Sequence, residues 1–465
     1  MSWAWEELHT ARLSDPRLER RLPRIVEAFA EHPEASCTEA LGKAGAKAAY
    51  RFWNNARVCA GEVLAPHARE TAQRSIQYPV VLVAQDTTEI NLTDHPATQG
   101  TGYLGSPHCR GLLLHSLLAI SPTGVPLGVV RQFTWVRPVK QLGKRHRRRK
   151  AALKEKESQR WLDGLTATAE CFAQHPHVVL MGDRESDLFD LFAMPRPANV
   201  DLLVRVCREK RRVEHATKYL DAALEAEPVR GHVQIEIPAR ANRQARTARM
   251  AVRWLSLEVH APCNGPKRPS VRLTFILIEE INPPQGEKPV RWLLATTLPV
   301  ESLEDALQCV QWYAYRWTIE RFHFVLKSGC KIEERQLETA EAIERAIPVF
   351  SIVAWRLLWL TLQARETPDA PCTVILEEFE WKVLCATVHA RTRGLPAKPP
   401  ALREAVRMIA QLGGFLGRKS DGEPGPQTLW RGLRRLHDLG QGWLAAHQQD
   451  EVCYTSRGQE CPVIE

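Results

Sequence analysis

The sequence predicts a mixed α/β core bracketed by helical segments at both ends. Three observations lead there. Two short apolar runs, "VVLVAQD" and "HVVLMGD", each close on an aspartate. Several alternating or apolar stretches crowd residues 200–300. From residue 1 to about 70, and again beyond Arg365, apolar residues recur at helical spacing.

The first helical segment opens with "SDPRLERRLPRIVEAFAEH", where Ser14 is a candidate N-cap and Pro16 suits the first turn. "SCTEALGKAGAKAAYRFWNNARV" follows and carries Lys43, Lys47, Arg51 and Arg57 beside Tyr50, Phe52 and Trp53. Small helices with basic residues at their ends suit DNA phosphates. A plain helical cap whose aromatics form its core is the competing reading. The formal net charge of +9 favours a polyanion partner.

Length and composition bound the rest. A chain of 465 residues suggests roughly two to four domains. The 44% hydrophobic content supports real cores and excludes a disordered protein. The N-terminus is charged from the start, which argues against a secretory signal. "AIPVFSIVAWRLLWLTLQ" (Ala346 to Gln363) contains Pro348 and Arg356, and reads as a buried helix rather than a membrane span. The 12 cysteines include no C-x-x-C pair, which argues against a zinc ribbon and for a reducing, cytoplasmic setting.

In the central region, Val80 to Ala84 form a β-branched apolar run with Asp86 at its end. "GLLLHSLLAI", the turn "SPTG" and "VPLGVVRQFTWV" read as a hairpin. The basic run from Lys144 to Lys150 fits a solvated loop, or a nonspecific or target-DNA contact whose affinity would depend on salt. A helix around "ESQRWLDGLTATAECFAQH" precedes the second apolar run, and Asp183 stands just past that run. The strands "VDLLVRV", "GHVQIEIPA", "RMAVRWLSLEVHA", "SVRLTFILIEEI" and "VRWLLATTL" make the β-rich part. After them comes "YAYRWTIERFHFVLKSG", from Tyr313 to Gly329.

On a regular helix of about 100° per residue, Tyr313, Arg316, Glu320 and Lys327 share one stripe about 60° wide, with His323 at its edge. Arg316 and Glu320 are also an i, i+4 pair, so a salt-bridged surface stripe is the plain alternative. Asp86, Asp183 and Glu320 are then three acids that a strand–hairpin–strand order would bring together. Converging carboxylates repel unless neutralised, and two Mg²⁺ ions would do this, with phosphate and water completing their shells. Such a pair, about 4 Å apart, supports in-line phosphoryl transfer.

The sequence resembles cut-and-paste bacterial DDE transposases of the IS-four family, Tn-five type. That group carries Y-x2-R-x3-E-x6-K, complete here as Tyr313, Arg316, Glu320 and Lys327. It also carries D-T-T (Asp86, Thr87, Thr88) and D-R-E-x-D (Asp183, Arg184, Glu185, Asp187). "AAYRFWNN", "EKESQRW", "EEINPPQGEKPVRWLLATTLPVESLEDAL" and "IAQLGGF" extend the likeness along essentially the whole chain.

The resemblance implies a ribonuclease-H-like catalytic core with a β-rich insertion, flanked by helical N- and C-terminal domains. It implies a DNA-end-binding domain over 1–70, a catalytic domain over 71–365 with its insertion at about 205–300, and a helical dimerisation region over 366–465. Asp86, Asp183 and Glu320 would hold two Mg²⁺, with Mn²⁺ able to substitute. Tyr313, Arg316 and Lys327 would contact phosphates, and His323 joins them as a DNA-contact candidate. Trp292, 21 residues before Tyr313, has the spacing of an aromatic that receives a flipped base; a strand residue packing the sheet is the plain alternative. Arg205 matches a DNA-contacting arginine, while Cys207 stands where the family has a lysine. Arg51, Lys43 and Lys47 are the N-terminal DNA candidates. Partners would be double-stranded DNA (terminal inverted repeats and target) and a second copy in a homodimer on DNA, with no membrane. The implied reaction is nicking, hairpin formation and opening, then strand transfer. A ribonuclease-H-like structure-specific nuclease and a catalytically silent inhibitor of transposition are the rival readings.

Overall fold

Apolar β-branched runs bounded by turn residues become the strands of one large sheet. A computed structural model describes residues 2–106, 108–141, 156–237, 245–263, 268–389, 395–418 and 421–456. The basic run at Lys144 to Lys150 lies outside the described residues. The chain divides into two compact units, residues 64–321 and residues 1–63 with 322–465.

The 64–321 unit is built on a 10-stranded mixed sheet. Its strands are β1 (Val81–Asn91), β2 (Gly102–Tyr103), β3 (Arg110–Ile120), β4 (Pro126–Trp135), β5 (Val178–Gly182), β6 (Val200–Arg205), β7 (Gly231–Ile237), β8 (Arg246–Val259), β9 (Val271–Glu280) and β10 (Arg291–Thr296). The order is β2-β3-β1-β5-β6-β10-β9-β8-β7, with β4 also paired to β3. β1 with β5 and β5 with β6 pair in parallel; the other pairs are antiparallel. The β3–β4 hairpin forms where its turn residues place it. Every residue of β5 is buried, as expected for a parallel strand covered on both faces.

The core of this unit runs across the sheet, from Val81 and Val83 through Leu180 and Leu202 to Phe275 and Leu293. The helix Gln159–Cys171 buries Trp161, Gly164, Leu165 and Thr168. Gly164 permits a close approach: a Cβ there would stand 2.3 Å from the Gln85 side-chain oxygen. The insertion β7–β10 continues the sheet beyond β6. Its last strand returns beside β6, with Leu294 opposite Arg205, and leads to the helix Leu303–Tyr315. Reciprocal hydrogen bonds between Ser302 and Asp305 fix the start of that helix.

The other unit is helical. In the helix Pro16–Glu31 the N-cap is Asp15, not the expected Ser14: the Asp15 carboxylate accepts from the Arg17 N–H, and Pro16 takes the first helical position. The helix Cys37–Trp53 breaks at Gly42, whose φ of 67° suits glycine. The long apolar helix Ala340–Glu366 is a core helix, with 78% of its most apolar window buried. Helices Glu378–His389, Leu402–Leu412 and Pro426–Ser456 pack around a second apolar core containing Trp381, Leu384, Ile409 and Leu429. Arg335 is buried but satisfied, donating to the carbonyls of Pro33, Ala35 and Cys330. The 10 cysteines from Cys37 to Cys385 are all free.

Candidate active site

β1 carries its first acid within the strand rather than at its end. The parallel pairing with β5 stops at Ala84 opposite Met181, but β1 continues to Asn91 against β3, with Asp86 opposite Ser116. Asp86 therefore stands two residues beyond the paired parallel segment. Asp183 follows the end of β5 directly, as expected. Its carboxylate accepts from the Glu185 N–H at 2.9 Å and caps a short turn. The two aspartates thus leave the same edge of neighbouring parallel strands.

Glu320 comes from the helix Trp317–Phe324. The expected single helix is not uniform. It tightens at Arg316, whose N–H bonds to Tyr313 one residue short of the α spacing, and widens into a π turn over Val325–Gly329, where the Cys330 N–H bonds to Val325. The constant pitch assumed for the stripe is therefore interrupted on both sides of Glu320.

Arg316 links the acids. Its guanidinium donates to Glu320 at 2.7 Å and lies 3.9 Å from Asp86, with its own side chain 8% exposed. Burial pushes the Asp86 carboxyl up to about 7; Arg316 opposes this, while the charges of Asp183 and Glu320 add to it. The three acids share one field, and a proton or a cation must relieve it.

A ladder of cations and rings runs from that point along the sheet. Arg316 lies 5.7 Å from the Tyr313 ring. Tyr313 meets Trp292 edge to face at 6.4 Å. Arg205 lies 5.9 Å over the Trp292 ring. Tyr313 is buried and its hydroxyl has no hydrogen-bond partner, and burial raises its pKa. Trp317, next to Arg316, is 48% exposed.

Sequence reasoning missed Arg160, which lies in the quoted "EKESQRW". Its Nε donates to the Thr87 hydroxyl at 2.8 Å and its Nη2 to Glu185 at 2.6 Å. It joins the residue after Asp86 to the turn that Asp183 caps. Thr87 also contacts buried His115 Nδ1 at 2.9 Å. Arg160 Nη1 donates to the Glu157 carbonyl, and Arg137 holds the Glu157 carboxylate with two bonds of 2.6 Å.

The remaining candidates lie in the helical unit. Lys327 pairs with Glu333 at 3.4 Å. His323 is buried rather than presented at a surface; burial, with Lys327 nearby, lowers its pKa to about 3, so it is neutral. Its ring lies beside that of Phe322, which is also buried. Lys43, Lys47 and Arg51 are exposed at successive turns of the helix after Gly42, while Ala46, Ala49, Phe52 and Trp53 on the same segment are buried. The aromatics build the core and leave the basic face clear.

Among the described residues, no three acidic, histidine or cysteine side chains are gathered tightly enough to form a ready metal shell. The donor chemistry nonetheless fits a hard divalent cation: Asp86, Asp183 and Glu320 offer oxygen only, and their mutual repulsion is what such an ion relieves. In this arrangement Arg316 supplies the counter-charge.

Three family models match the chain in succession. Residues 1–58 match a transposase DNA-binding family, residues 135–350 a transposase DDE domain, and residues 352–452 a transposase Tn5 dimerisation domain. The chain belongs to the Tn5-type DDE transposases. The transposase binds DNA and forms dimers, as the first and last matches indicate. Asp183 and Glu320 fall inside the DDE match, and Asp86 precedes it. Lys43, Lys47 and Arg51 fall inside the DNA-binding match.

Proposed function

We propose that the transposase excises and integrates an insertion sequence by metal-assisted phosphoryl transfer, with Asp86, Asp183 and Glu320 as its acids. The observation that carries this reading is the placement of Asp86 and Asp183 at one edge of parallel β1 and β5, with Arg316 joining Asp86 to Glu320. Divalent ions, Mg²⁺ or Mn²⁺ and two in number, would activate the attacking oxygen and stabilise the leaving one. The three carboxylates would hold them. Arg316 would then exchange a carboxylate for a phosphate oxygen, which its planar fork binds in two places. Tyr313, Lys327 and Arg205 would position the backbone on either side of the scissile phosphate.

The order of steps in this reading is a nick at the element end, a hairpin on the opposite strand, its reopening, and attack on target DNA. Hairpin formation needs a sharply bent strand, and an extruded base relieves the crowding. Trp292 would receive that base by stacking, offsetting the few kcal/mol that unstacking costs. Cys207 lacks the charge of the family lysine, so Arg205 would act without it. Lys43, Lys47 and Arg51 would bind the terminal repeat, in a dimer whose two active sites each act on the end held by the other copy. In this reading the protein would act in the cytoplasm, on the nucleoid when bound to DNA.

The test uses a labelled duplex carrying the element's own ends, with a supercoiled plasmid as target. Metal-dependent nicks, hairpins and joined products, all lost in Asp183→Asn, support the reading. Nicks with neither hairpins nor joined products would instead indicate a structure-specific nuclease. Tight end binding with no cleavage would indicate a DNA-binding inhibitor.

A further inference from the structure

The turn after β6 forms a second basic feature that the carboxylate site does not use. A cavity of about 170 Å³ is lined by Arg208, Lys210, Arg211, Arg212 and His260, with Phe189 and Ala261 to Cys263 completing its wall. No acidic residue is among the described residues lining it. Asp187 sits behind the cavity, fully buried, and its capacity is already used. It accepts from the backbone N–H groups of Cys207 and Arg208 at 3.0 Å each, and from Nη2 of Arg211.

Arg211 is the informative residue. Its side chain is 8% exposed, yet both Nε and Nη1 lack any hydrogen-bond partner. Its guanidinium lies 5.6 Å from the Phe192 ring, which covers it without offering an oxygen. A buried donor left unmade costs about 1–3 kcal/mol, more when it is charged. Burial and the neighbouring charge of Arg208 push this guanidinium down, and Asp187 only partly offsets that. Arg212 donates to Cys263 Sγ at 2.8 Å, a weak acceptor that leaves its other donors available. A buried guanidinium with unmet donors, in a cavity wall that carries further cations and no acid, calls for a multi-oxygen anion.

We infer that this cavity is an oxyanion site that takes a phosphate group, apart from the three carboxylates. Two sources share the chemistry, a DNA backbone phosphodiester and free phosphate. A tetrahedral oxyanion would accept from Nη1 of Arg211, because Nη2 is held by Asp187 and the Nε–H points to that same side of the fork. Arg208, Lys210 and Arg212 would neutralise it from the open side. For the DNA source, the inference rests on the reading of the chain as a DNA-processing enzyme.

The experiment measures thermal unfolding of the full chain in inorganic phosphate and in chloride of equal ionic strength. It also measures binding of an unrelated duplex across a salt series. The variants are Arg211→Met and the surface pair Lys210→Gln with Arg212→Gln; the pair keeps the test open if Arg211→Met does not fold. Phosphate is expected to raise the wild-type Tm by about 2 °C or more, and the surface pair to lose that shift. A DNA source predicts that the slope of log Kd against log salt falls by about 1 in the surface pair. A phosphate shift with an unchanged slope would assign the site to free phosphate. No phosphate shift together with an unchanged slope would overturn the inference. A wild-type chain that binds no duplex at any salt would fault the DNA reading instead, and the phosphate shift would still decide the cavity.

Discussion

Arg316 and Glu320 are hydrogen-bonded at 2.7 Å across one helical turn, and the same guanidinium comes within 3.9 Å of Asp86. One mostly buried cation therefore holds two acids of the proposed catalytic set. Removing it leaves those acids to repel each other. Arg316→Met is expected to lower stability by about 2 kcal/mol without divalent ions. Millimolar Mg²⁺ should recover much of that loss, and cleavage should fall by at least about 100-fold. Chemical denaturation with and without Mg²⁺ checks the first part. A loss of stability indifferent to Mg²⁺ would contradict it.

Asp86 supplies a pH dependence. Its folded-state pKa, about 7, lies above the ordinary 3.8. The folded protein thus keeps a proton that the unfolded chain has released. Stability from this group is complete below about pH 4 and declines as pH rises to 7, by an amount on the order of 2–4 kcal/mol. Asp86→Asn, which cannot ionise, should flatten the profile and exceed the wild type in Tm at pH 8 without metal. Superimposable profiles for the two proteins would show that Asp86 is not strained.

Arg160 tests whether the two aspartate-bearing segments must be tied together. Arg160→Met leaves Thr87 and Glu185 without their 2.8 Å and 2.6 Å partners. Displacing supporting groups of this kind typically costs about 10- to 100-fold in activity or metal affinity. The expected outcome is a higher half-saturating Mg²⁺ concentration for cleavage, with Arg160→Lys intermediate. Unaltered metal dependence in both variants would assign Arg160 to packing over the Trp161 and Trp135 rings alone, 5.0 and 5.6 Å away.

Trp292 separates chemistry from distortion. Trp292→Ala should leave the first nick within about threefold of wild type and reduce hairpin formation by about 10-fold or more, since stacking on an aromatic is worth about 1–3 kcal/mol per base. A denaturing gel resolves the two products. An equal loss of both would make Trp292 a packing residue of β10.

Asp183 was legible because an unbroken apolar strand stops on it, and local burial alone decides such a strand. Asp86 was legible as a residue but not in its place. Thr87 to Asn91 are polar enough to look like a loop, yet β3 supplies their backbone partners. The Tyr313–Arg316–Glu320 stripe survived because those residues span two turns. His323 is buried, which spacing did not reveal, and between it and Lys327 the helix changes pitch at Val325, a π turn that no residue-by-residue rotation anticipates. Arg160 reaches Thr87 across 73 positions of sequence. Only the packing of the helix Gln159–Cys171 on the sheet makes that contact, so spacing could not reveal it.

The most direct test of the account is the binding of Mn²⁺ to the protein–DNA complex, followed by electron paramagnetic resonance. It would compare the wild type with Asp86→Asn, Asp183→Asn and Glu320→Gln. The account predicts tightly bound Mn²⁺ in the wild type and at least about 10-fold weaker binding in each variant, with circular dichroism and end binding preserved. Equal Mn²⁺ affinity in all four proteins would contradict it, because the three carboxylates would then not be the acids that hold the metal.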